Sequence, residues 1–160
     1  MRDGALPAAL LCAALGLLLA YAPRKALAPA VLALVIFALV VFAVGIPVRW
    51  EEAAFFGCWA SIVVMAASIH IRGGPGFAWP VVLAANAGVW AGAVLSVAGR
   101  STDLAIALPW ILLVVPALWV RKTRIGLAIK IIASWLGAVA ILAAAIPLTP
   151  TPGYAPDHRE

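Results

Sequence analysis

Side chains able to do chemistry are few in this sequence, and most sit inside apolar stretches. Asn86 is the most polar residue at depth. Lys130 and Ser134 lie one helical turn apart, and with Asn86 they could line a polar pocket or pore. Arg49-Trp50-Glu51-Glu52 is a compact charged turn, suited to contact with a partner subunit. His70 is the one histidine within an apolar run; bis-imidazole haem ligation needs two, and His158 belongs to the C-terminal tail. Cys12 and Cys58 occupy separate apolar runs, with no CxxC or Cys/His cluster, so neither a disulfide framework nor a zinc site is expected. No cofactor and no metal are expected.

What is missing narrows the chemistry further. None of the six acidic residues (Asp3, Glu51, Glu52, Asp103, Asp157, Glu160) falls inside an apolar run. Ion-coupled transporters generally need an embedded carboxylate to bind and release the ion. The sequence also lacks a P-loop, GxSxG, HExxH or Gly-rich dinucleotide fingerprint.

The most specific signal concerns packing. Ala84, Gly88, Gly92 and Ser96 recur every four residues and contain a GxxxG. Such a stripe lets another helix backbone approach closely where lipid supplies no hydrophobic drive. Asn86 lies two positions from Gly88 and so points off the stripe, which predicts contacts on two sides of this helix. The structural role open to Asn86 is an interhelical hydrogen bond of roughly 1 kcal/mol. Ser61 and Ser68 share one helical face and read as further packing positions. Of seven tryptophans, Trp50, Trp79 and Trp119 fall at the ends of apolar runs, as an aromatic belt requires. Trp59, Trp90, Trp110 and Trp135 lie deeper and are expected to fill space between helices.

The elements that position these residues follow from composition. The chain has 160 residues, 66% hydrophobic and 11% charged, with a mean hydropathy of +1.14. A soluble domain carries about a quarter charged residues, so most of this surface must face lipid. Six apolar runs are separated by polar or Pro/Gly-rich breaks: 6–22, 28–48, 53–71, 77–98, 104–120 and 125–148. Each approaches the roughly 20 residues of a spanning helix. Barrel strands would alternate polar and apolar residues over about ten positions, and these runs do not alternate. The expected fold is an all-α, polytopic transmembrane bundle of about six spans, a single domain over 1–148, with an extended polar tail at 149–160. Pro29 is placed in the first turn of the second span, and Pro109 and Pro116 predict a kink in the fifth. Ala20-Tyr21-Ala22 has the form of a signal-peptidase site, but Pro23 would follow the cut, so the first run is read as a retained helix.

With loops assigned alternately to two sides, Arg24, Lys25, Arg72, Arg121, Lys122, Arg124 and Lys130 fall on one, and Arg2, Arg49, Arg100 and Arg159 on the other. The positive-inside rule makes the first side cytoplasmic and both termini non-cytoplasmic, in a cell membrane, bacterial and inner. The net charge of +5 is accounted for by these topology signals, and nucleic acid is not an expected partner. The expected partners are the bilayer and a membrane protein or second copy. The function expected is that of a non-enzymatic accessory or structural subunit; the alternative is a small channel or permease acting as an oligomer.

Overall fold

A computed structural model describes residues 5–99, 101–121 and 126–146. They form α1 (Ala5–Leu19), α2 (Arg24–Val44), a 3-10 turn (Val48–Trp50), α3 (Glu51–Ser68), α4 (Ala78–Ala98), α5 (Ser101–Ala107), a 3-10 segment (Leu108–Leu113), α6 (Val114–Arg121) and α7 (Gly126–Ala145), with no strand among the described residues. The fold is an all-α bundle. Five stretches are long and apolar enough to cross a membrane: α2, the 3-10 turn with α3, α4, the broken stretch Thr102–Arg121, and α7. The sixth, α1, has 15 residues, about 22 Å at 1.5 Å per residue.

This short helix is the centre of the bundle. α1 packs against α3, α4, α5, the 3-10 segment, α6 and α7, and Leu11, Leu15, Leu18 and Leu19 have no exposed surface. Its apolar character on every side permits this enclosure, although it would equally permit a lipid-facing helix. Its last turn is closed by Tyr21 and Ala22, whose N–H groups bond the carbonyls of Leu18 and Leu19 at 2.9 and 3.1 Å. From the far end of α6, the Arg121 guanidinium donates to the Ala20 carbonyl and lies over the Tyr21 ring, 5.1 Å from its centroid.

α2 begins at Arg24, with extended Pro23 as its cap. Pro29 therefore stands in the second turn, not the first as its place in the apolar run suggested. The basic pair Arg24-Lys25 has joined the helix, because its carbonyls can start the ladder while the side chains stay exposed. α2 is turned inside out relative to a soluble helix: the small residues Ala26, Ala30 and Ala38 are buried with Leu34, while Leu32, Ile36, Phe37 and Val40 face outward. Glu51 and Glu52 in the first turn of α3 and Asp103 in that of α5 sit where a helix dipole favours negative charge.

The fifth span differs most from a plain helix. The expected kink takes the form of six residues of 3-10 helix opening with Leu108-Pro109, since Pro109 cannot donate to the helical ladder. Gly16 of α1 accommodates this segment: a Cβ there would stand 3.0 Å from the Ile111 carbonyl oxygen and 3.2 Å from the Val114 nitrogen.

Candidate functional site

The small-residue stripe of α4 is used within the chain. α4 lies along α2 in the most extensive helix pairing of the molecule. A Cβ on Gly88 would stand 2.5 Å from the Leu34 carbonyl oxygen, and one on Gly92 would stand 2.6 Å from that of Ala38. Ala84, Gly88 and Gly92 are buried, and Ser96 is half-buried with its hydroxyl donating to Ala93 O at 2.8 Å. The two helices run in the same direction, so the contact advances four residues on each from Gly88/Leu34 to Gly92/Ala38.

Asn86 faces α3 on the other side of α4. Its Nδ2 donates to Ser61 Oγ at 2.7 Å, and its Oδ1 accepts from Trp90 Nε1 at 3.0 Å. Ser61 in turn donates to Gly57 O at 2.7 Å, one turn back on its own helix. A second rung lies seven residues away on both helices: Trp79 Nε1 donates to Ser68 Oγ at 3.0 Å, and Ser68 donates to Val64 O at 2.6 Å. A third is steric, with the Trp90 ring lying over Gly57. The antiparallel α3–α4 pair is thus held in register by two serine-centred hydrogen bonds and one glycine. Gly57 and Gly16 drew no attention in the sequence and Trp79 only as an interfacial residue, although Gly57-Ser61 and Asn86-Trp90 are both spaced by one helical turn.

The three residues expected to share a polar pocket do not meet. Asn86 is engaged by Ser61 and Trp90, whereas Ser134 of α7 faces His70, just beyond α3, with 3.3 Å between Oγ and Nε2. His70 Nδ1 lies 3.1 Å from Ala66 O. A carbonyl only accepts, so Nδ1 carries a proton, and in the neutral ring Nε2 accepts from the Ser134 hydroxyl. His70 and Ser134 therefore join α3 to α7, reinforced where Gly137 meets Ala66. Lys130 is half-buried one turn from Ser134. His158 lies outside the described residues, as do Lys122, Arg124 and the tail. Cys12 and Cys58 are buried free thiols, the latter donating to Pro7 O at 3.4 Å.

Two deep tryptophans are not where the sequence suggested. Trp90 fills space between helices, but Trp110 and Trp135 are 49% and 68% exposed on the outer surface. Trp110 is carried outward by the 3-10 segment, and Trp135 lies on the face of α7 opposite the buried Ala133, Leu136 and Ala140. Each stands near the middle of its stretch. Among the described residues, neither indole N–H has a hydrogen-bond partner, unlike those of Trp79 and Trp90.

Arg49, Trp50 and Glu52 are exposed and Glu51 is half-buried, at the junction of the 3-10 turn with α3. Trp50 lines a groove of about 420 Å³ between the end of α2 and the start of α3, together with Val40, Val44, Pro47, Ala54 and, from α4, Trp90.

No protein-family model matches this chain, and no curated protein or solved structure matches it significantly.

Proposed function

We propose that this protein is a multi-pass integral protein of a bacterial inner membrane, with both termini outside the cytoplasm. In that membrane it serves as a non-enzymatic accessory subunit, packing against another membrane protein or a second copy. The five long apolar helices support the membrane setting. The basic residues Arg24, Lys25, Arg72 and Arg121 at one end, against Arg49 alone at the other among the described residues, support the orientation.

The observation that carries the accessory reading is the pair Trp110 and Trp135. Tryptophan favours the membrane–water interfaces, where its N–H finds water. In hydrocarbon an unbonded N–H costs about 1–3 kcal/mol, and a neighbouring helix with an acceptor removes that cost. The small-residue stripe does not serve this purpose, because α2 already covers it.

The alternative is a channel or permease acting as an oligomer, favoured by the 3-10 break in the fifth span, since broken helices line many transport sites. α1 fills the axis of a single copy, so such a path would run between copies.

Purification in mild detergent followed by mass measurement in nanodiscs tests the reading. The expected particle exceeds one copy of the chain at fixed stoichiometry, and Trp135→Leu or Trp110→Leu reduces it to one copy with helix content unchanged. A single-copy particle from the unaltered protein would overturn the reading. A cytoplasmic signal from a reporter fused at Glu160 would overturn the orientation.

A further inference from the structure

We propose that the groove between α2 and α3 is a binding site for one phospholipid. Its acyl chain lies along Val40, Val44 and Trp90, and its headgroup phosphate meets Arg49. This rests on the membrane setting proposed above.

The groove exists because α2 and α3, although consecutive, both pack on α4 and barely touch each other. Gly45, at φ +72°, and Pro47 turn the chain away from α2 before the 3-10 turn brings it back. The space left has the volume of a ligand site, about 420 Å³ against the usual ~300–1,000 Å³.

Depth identifies the occupant. The groove lining runs from Pro47 and Trp50, at the end of the helices, to Trp90, eight residues before the end of α4. That is about 12 Å at 1.5 Å per residue, close to the ~15 Å of one leaflet's hydrocarbon. An acyl chain entering from the headgroup region matches this run.

Its α4 wall is fixed before any lipid arrives. The Trp90 ring is held between its hydrogen bond to Asn86 and the flat surface at Gly57. At the end of the groove the exposed Trp50 suits the interface, and its chain neighbour Arg49, exposed and outside the groove lining, offers a cation for the phosphate. Glu51 and Glu52 follow directly, so a zwitterionic headgroup fits better than one with net negative charge.

The test uses full-length protein in nanodiscs of phosphatidylethanolamine and phosphatidylglycerol in equal amounts, with co-released lipid read by native mass spectrometry. The unaltered protein should retain one phosphatidylethanolamine. Val44→Trp, which fills the groove from an exposed position, should lower retention about tenfold, and Arg49→Gln should lower it about fivefold. Val115→Trp, exposed on α6 away from the groove, should leave it unchanged and controls for added bulk. No retained lipid, or equal retention in Val44→Trp, would overturn the site; a preference for phosphatidylglycerol would overturn the headgroup assignment. An alkaline carbonate wash separates the two levels: protein released by the wash defeats the membrane setting, whereas protein that stays without bound lipid defeats only the groove.

Discussion

Trp90 and Gly57 are matched across the α3–α4 interface: a Cβ added to Gly57 would stand 2.5 Å from the indole ring. The ring cannot retreat freely, because its Nε1 is bound to Asn86. Gly57→Ala should therefore destabilise the bundle by about 1–3 kcal/mol, as overpacking does. Trp90→Leu added to it should recover part of the loss, and a double-mutant cycle of unfolding in mixed micelles would show the coupling. Strictly additive losses would mean that the two residues do not constrain each other.

Gly92→Leu should be more damaging. Its side chain meets the Ala38 carbonyl and the Phe42 nitrogen, and backbone yields only if all of α2 moves. A loss of about 3 kcal/mol or more is expected, with lower thermal stability of the isolated chain. The measurement is made without any partner, because the defect lies inside the fold. Near-normal stability of the isolated variant would refute the α2–α4 contact.

Asn86→Leu should cost about 1–2 kcal/mol. The substitution strips Trp90 Nε1 of its acceptor, while Ser61 keeps Gly57 O. Ser61→Ala should accordingly cost less than Asn86→Leu when both are measured by the same unfolding assay. The reverse order would show that Ser61, not Asn86, is the hub.

Arg121→Met should loosen the C-terminal end of α1. The Ala20 carbonyl loses its donor and the Tyr21 ring its cation, together worth about 1–2 kcal/mol. Hydrogen exchange is the suitable readout, with faster exchange at Tyr21 and Ala22 and little change in α2. Arg121→Lys should keep part of the protection through its charge.

Much of this fold is legible in the sequence. The apolar runs mark the helices because spanning length is fixed by the bilayer, and the Ala84–Ser96 stripe marks a close approach because only small residues permit one. What could not be read is which face turns inward. A soluble helix declares its buried side by polarity, but α1 and α2 are both apolar throughout, yet one is enclosed and the other mostly exposed. For the same reason the outward turn of Trp110 and Trp135 left no trace. The polar candidates failed as a group because sequence proximity to an apolar centre says nothing of azimuth: Asn86 and Ser134 each found a partner on a different side of α3.

The enclosure of α1 also sets an order of events in biosynthesis. α1 emerges before the other described helices, yet the residue that closes its end, Arg121, comes 101 positions after Ala20. At roughly 5–20 residues per second, the helix waits on the order of 5–20 s for that contact, and α7 arrives later still. Until then the shortest of the six apolar stretches lacks its lid, although α3 and α4, two of its walls, have already been made. The enclosure of α1 is thus completed only after the other described helices have been made, and translation rate or a membrane-embedded chaperone can influence its outcome.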